Sequence, residues 1–148
     1  MTVNIGSVST ATLRDQDLLE AFSGTLGEYD DGTYADLIAE ANKMLSDWDD
    51  DDEPAAASEV VNDLQDALNT FAPDYVYFGS HPGDGSDFGF WIDTDAIDDA
   101  IHDGDLLKVD DLDNIPADHN GMVVVVNDHG NMALYKPEIT YAEVWAIV

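Results

Sequence analysis

Tyr75-Val76-Tyr77-Phe78-Gly79-Ser80-His81-Pro82-Gly83-Asp84-Gly85-Ser86-Asp87-Phe88-Gly89-Phe90-Trp91-Ile92 is where the chain changes period. Two aromatic, β-type runs, Tyr75–Phe78 and Phe88–Ile92, flank a turn-rich stretch from His81 to Ser86, which predicts two strands and a connecting loop. Working back from it, apolar residues recur at helical spacing. Leu18, Leu19, Phe22 and Leu26 follow a weak capping pattern at Thr12 and Asp15, and Gly27 with Asp30-Asp31-Gly32 is expected to end that segment. Thr33 and Asp36 repeat the pattern before Tyr34, Leu37, Ile38, Ala41, Leu45 and Trp48. A third helix is expected to start near Pro54 and run through Ala57, Val60, Val61, Leu64, Leu68 and Phe71 until Pro73.

Working forward, Thr94 to His102 predicts a short helix closed by Gly104. Residues 105–120 read as an irregular acidic connection. Met122–Val126 and Met132–Tyr135, joined by Asn127-Asp128-His129-Gly130-Asn131, give a strong hairpin signal. Residues 141–148 fit either a strand or a helix. The expectation is an α+β fold in one domain, 1–148, with about three N-terminal helices (roughly 12–72) packed on an antiparallel sheet of about four to five strands (roughly 74–148).

Charge dominates the function reading. The chain carries 33 acidic residues against four basic ones, a net −29, and 26 of the acids are Asp. The excess runs along the whole length: −9 over residues 1–50, −13 over 51–100 and −7 over 101–148. Three Trp, six Tyr and five Phe separate it from a disordered acidic tail, which would be poor in aromatics. Such a field repels phosphates and anionic lipid and attracts basic surfaces, so direct nucleic-acid binding is not expected. The absence of cysteine excludes disulfides and thiolate metal sites. No signal peptide or membrane span is read, and a cytoplasmic location is expected.

Catalytic and metal motifs do not assemble. With Asp47 as first position, Asp49 and Asp51 match a calcium loop, but Asp52 stands where Gly is needed and Ser58 where a bidentate Glu is needed. His81, His102, His119 and His129 form no paired metal spacing. The stretch from His81 to Gly85 lacks the Lys and the glycine pattern of a phosphate cradle, and no serine lies in a nucleophile elbow. No metal, cofactor or catalytic residue is expected. Tyr75, Tyr77, Phe78, Phe88, Phe90 and Trp91 would suit a nucleic-acid platform only if interleaved with basic residues. None occurs between Lys43 and Lys108, so these aromatics are expected to pack in the core.

Three readings of the acidity remain. In the first, carboxylates stand where a nucleic acid would present phosphates and occupy a partner's basic groove. Acids three or four apart on a helix stand about 5–6 Å from each other, comparable with phosphate spacing. The candidate surfaces are Asp30, Asp31, Asp36 and Glu40; Asp47, Asp49, Asp50, Asp51, Asp52 and Glu53 with Glu59, Asp63 and Asp66; and Asp93, Asp95, Asp98, Asp99 and Asp103. In the second, the acidity is adaptation to high salt and unrelated to function. In the third, the protein is an acidic adaptor or chaperone for a basic protein.

Two further segments, the run from Thr12 to Phe22 (TLRDQDLLEAF) and Val126-Asn127-Asp128-His129-Gly130-Asn131 followed by Leu134-Tyr135, resemble small uncharacterised proteins of bacteriophages, prophages and related mobile elements. The resemblance touches both ends of the chain and brings no established activity or catalytic residues. It favours the first reading, because phages gain from blocking host nucleases, restriction enzymes and CRISPR complexes, all of which own basic grooves.

Overall fold

The computed structural model describes residues 3–137, and the ambiguity over 141–148 lies outside them. Contacts divide the chain into two compact units, Met1–Asp93 and Thr94–Val148, each considered by itself. The α+β architecture is as expected. Its strands, however, form two sheets of three where one sheet of four to five was expected.

The first unit runs β1 (Gly6–Ser9), α1 (Asp15–Tyr29), α2 (Ala35–Ser46), α3 (Ala57–Asn69), β2 (Val76–His81), β3 (Asp84–Ile92). Its sheet has the order β1-β3-β2, antiparallel throughout. Strand β1 carries no sequence signal, being short and built of Gly6, Ser7, Val8 and Ser9. Glycine at 89 admits it: a Cβ there would meet the Gly6 carbonyl oxygen at 2.0 Å, so no side chain can occupy that position while β1 is in place.

Phe22, Leu19 and Leu26 of α1 meet Val61, Leu64 and Leu68 of α3 in the core, over Phe78 and Phe90 of the sheet. Phe22 stands edge-on to Phe78 at 5.1 Å and to Phe88 at 5.4 Å. Gly27, expected with the Asp30-Asp31-Gly32 cluster to end the helix, lies inside α1 as Gly24 does, and α1 continues to Tyr29. Two helical glycines cost about 1 kcal/mol each relative to alanine. Burial of Phe22 and Leu26, with Tyr29 packed against Phe71 and Phe90, outweighs that cost.

The helix starts also depart from expectation. Thr12 does not cap α1; its hydroxyl donates to Asp17 Oδ2 at 2.7 Å and accepts the Arg14 N–H. Helix α2 is entered through Asp30, whose Oδ2 accepts the Gly32 and Tyr34 N–H groups, while Thr33 donates to Asp31. Pro54 belongs to the turn before α3, accepting the Ala57 N–H. At the far end of α3, Asn69 Oδ1 accepts the Phe78 N–H at 2.9 Å, which satisfies a donor on the edge strand β2. The His81–Ser86 loop contracts to a tight turn at Pro82-Gly83, because β3 begins at Asp84.

The second unit runs α4 (Thr94–Asp103), β4 (Leu106–Val109), a single 3-10 turn at Leu112–Asn114, β5 (Met122–Val126) and β6 (Met132–Tyr135). Its sheet has the order β4-β5-β6. The hairpin appears between the expected strands, with Val126 opposite Met132 and Asn127 Oδ1 accepting the His129 and Asn131 N–H groups. Strand β4 replaces part of the expected irregular connection and pairs parallel to β5. Its four residues are too few to show a period.

Candidate functional site

Side-chain geometry sorts the acids into two kinds. Some hold the fold. Asp30 closes the turn into α2. Asp49 accepts the Asp51 N–H, and Asp50 accepts from the Trp48 indole at 3.1 Å and pairs with Arg14 at 3.6 Å. The Asp47–Glu53 run is therefore a folded turn, not a slack linker. Asp47 pairs with Lys43 at 2.7 Å, which raises the Lys43 pKa through that hydrogen bond and the neighbouring charge. These two ion pairs are exposed and screened by solvent, so they contribute little to stability. The Asp31 carboxyl is held below its usual range by the Thr33 hydroxyl and N–H.

A second group accepts nothing. Among the described residues Asp36, Glu40, Asp51, Asp52, Glu53, Glu59, Asp63, Asp66, Asp95, Asp98, Asp99 and Asp103 have neither a hydrogen-bond donor nor a cation beside them, and all are exposed. Those on helices are not scattered. At 100° per residue, Asp36 and Glu40 stand opposite Ala41 and Ile38 on α2. Glu59, Asp63 and Asp66 stand opposite Val61, Leu64 and Leu68 on α3. Asp95 and Asp99 stand opposite Ile97 and Ala100 on α4. Each stripe is the back of an apolar face that the core fixes in orientation.

Within the first unit these surfaces connect along the chain. The Asp30–Asp31 turn and the Asp47–Glu53 turn sit at the two ends of α2, about 18 Å apart along its axis. The stripe of α3 begins just beyond the second turn. Asp95, Asp98, Asp99 and Asp103 belong to α4 in the second unit, whereas Asp93, half-buried, is the last residue of the first.

No family model, curated protein or solved structure matches this chain. The geometry therefore carries the functional argument. No group of three His, Asp or Glu side chains converges to hold a metal ion among the described residues. His81 Nδ1 accepts the Gly83 N–H, and His119 Nε2 lies 3.3 Å from the Met122 carbonyl. An open groove of about 300 Å³ runs between β1 and α1, lined by Asn4, Ser7, Thr25, Glu28 and Tyr29 among others. A smaller one of about 220 Å³ lies beside His119, Tyr135 and Lys136. No described helix is long and apolar enough to cross a membrane.

One expectation fails at the central aromatics. Phe78, Phe88 and Phe90 pack with the core, but Tyr77 and Trp91, like Tyr75, do not belong to it. Alternation along β2 and β3 turns these two to the sheet face away from α1 and α3, where they pair across the strands. The sequence signal was present: Tyr77 and Trp91 alternate with the phenylalanines. An all-aromatic run obscures that alternation, because both faces read as apolar.

Proposed function

We propose that this protein is a non-catalytic, acidic binding protein that occupies the basic groove of a nucleic-acid-handling partner by presenting carboxylates in place of phosphates. The observation that carries the reading is the set of exposed carboxylates that hold no hydrogen bond or ion pair among the described residues, fixed in stripes on the backs of α2, α3 and α4. Like charges three or four apart on a helix repel each other at a cost of about 0.2–0.5 kcal/mol per pair, so beyond the first-turn acids Asp36, Glu59 and Asp95, which suit their helix N-termini, the fold gains nothing from them. Rigid helices hold the charges at a defined spacing, which a shaped cationic groove can match. The resemblance of the Thr12–Phe22 and Val126–Tyr135 segments to phage proteins supports a phage-type inhibitor of a host nuclease, restriction enzyme or CRISPR complex acting in the host cytoplasm. The test is retention from host lysate on the immobilised protein, eluted with rising salt. A nucleic-acid-handling protein that is retained at low salt and released by nucleic acid supports the reading. Failure of nucleic acid to compete would sink it.

A second reading is favoured by the evenness of the charge. Residues 1–93 carry 21 acids and two bases, and residues 94–148 carry 12 and two, so neither unit is spared. Adaptation to high salt would produce that distribution. It requires a chain that unfolds at low ionic strength and is stable in molar salt, whereas the inhibitor is folded under ordinary conditions.

A further inference from the structure

The two sheets have four edge strands, and an edge that offers free N–H and C=O groups among apolar side chains invites a further strand. Three of the four are guarded. Strand β1 carries a bulge between Ser7 and Ser9. On β2 the Phe78 N–H is taken by Asn69. Strand β4 holds the exposed Lys108, with Asp105 before it and Asp110 after it. Strand β6, Met132-Ala133-Leu134-Tyr135, has none of these devices. It runs beside β5 without a bulge, carries no charge within it, and among the described residues pairs with β5 alone. All four residues are exposed, Met132 and Leu134 by 39% and Tyr135 by 43%. Alternation sets Met132 and Leu134 on one face of the sheet and Ala133 and Tyr135 on the other, so β6 is exposed on both faces.

Charge decides what can reach that edge. Residues 119–137 hold one acid, Asp128, and one base, Lys136, where an even spread of the 33 acids would put about four. A basic partner is drawn to the carboxylate stripes and finds nothing to attract it here. For a second copy the balance is reversed. Two chains of −29 repel each other wherever their stripes face, and a neutral edge is where they can meet. An antiparallel pair of β6 strands about a two-fold axis normal to the sheet is self-complementary: Met132 and Leu134 of both copies share one face, and Ala133 and Tyr135 of both share the other. Two four-residue edges bury less than the roughly 1,200 Å² of a standard interface, so the pair is a weak one. Repulsion between the chains weakens it further at low ionic strength and is screened as salt rises.

We propose that the β6 edge is a self-association surface, where two copies of the chain join their second sheets through paired β6 strands in a dimer that salt promotes. Carboxylate-mediated binding of a basic partner is weakened by salt, so the two readings stand or fall separately. Sedimentation velocity over a range of protein concentrations tests the dimer. At about 1 M sodium chloride, where the Debye length is about 3 Å, the chain should show a monomer–dimer equilibrium. At about 0.1 M, where it is about 10 Å, the dimer should weaken by about 10-fold or more. Leu134→Lys should abolish the dimer at molar salt. Leu112→Lys makes the same charge change at an exposed leucine in the 3-10 turn, outside the sheet, and should leave the dimer intact. In the unsubstituted chain at molar salt, the amide resonances of Met132–Tyr135 should shift with protein concentration, which decides the matter even where Leu134→Lys does not fold. A chain that stays monomeric at molar salt overturns the proposal, and β6 amides that resist exchange in that monomer would show that the chain itself covers the edge. A dimer that survives Leu134→Lys, or association that continues past two copies, places the contact elsewhere and overturns it equally.

Discussion

Neutralising the α3 stripe should make the protein more stable and a worse binder. The double variant D63N/D66N removes two like-charge pairs, that of Asp63 with Glu59 four residues before it and that of Asp63 with Asp66 three residues after it. Each pair costs roughly 0.2–0.5 kcal/mol. Asp66 also lies near the negative end of the α3 dipole, where no basic residue offsets it, adding roughly 0.3 kcal/mol or more. Asparagine and aspartate differ little in helix propensity, and Glu59, favourable in the first turn, is left in place. Taking the low end of each contribution for exposed groups, the gain is about 0.7 kcal/mol. For a cooperative unit of this size that raises Tm by about 3–6 °C.

The assay is a thermal melt followed by circular dichroism at about 20 mM and about 1 M sodium chloride. At molar salt the Debye length of about 3 Å falls below the spacing of the charges, so the gain should vanish. A Tm that does not rise at low salt would refute the claim that these carboxylates repel one another. A rise that persists undiminished in molar salt would show that the cause is not electrostatic. Binding to the captured partner, measured alongside, should weaken.

Three further outcomes check the fold. Phe22→Ala removes a fully buried ring that meets Phe78 and Phe88 edge-on; a loss of about 3–5 kcal/mol is expected in denaturant titration. Gly89→Ala places a methyl group where the Gly6 carbonyl now lies, so hydrogen exchange should show β1 losing protection while the β2–β3 hairpin keeps its own. The Asp84 carboxyl is held below its usual range by the Ser86 N–H and then by the Ser86 hydroxyl. Its contribution to stability is present above the free-carboxyl value of 3.8 and is lost as pH falls through the lower folded value, so the Ser86 amide resonance should titrate below 3.8. A midpoint at or above that value would contradict the hydrogen-bonded geometry.

Most of the element types were legible because the helices of the first half are amphipathic. Val60, Val61, Leu64 and Leu68 repeat at the helical period, and a core face follows from that alone. What was not legible required tertiary information. Strand β1 exists because β3 offers it a position without a side chain at Gly89, a property of the pair and not of either segment. Helix α1 passes through two glycines because Tyr29 has Phe71 and Phe90 to pack on. The surface was half legible. The acids could be counted and grouped, but separating those that hold turns, such as Asp30 and Asp50, from those with no role in the fold, such as Asp63 and Asp99, took the coordinates. Trp91 was misread for the same reason: composition predicts a core, and only strand pairing shows which face a residue is on.

That separation gives the means to decide between a partner and brine. Hydration in high salt depends on how many carboxylates are exposed and is indifferent to which exposed position holds them. A groove that matches the stripes is sensitive to position. Asn62 and Asp63 are both exposed on α3, as are Ser58 and Glu59. The exchanges N62D/D63N and S58E/E59S therefore move two charges by 100° around the helix while keeping the net charge at −29. Under the partner reading, these charge-conserving variants retain the parent's dependence of stability on salt but release the captured protein at lower salt. If they hold it as tightly as the parent does, the arrangement carries no information. Charge count alone then explains the binding, and shape-matched mimicry of a nucleic acid is no longer the explanation.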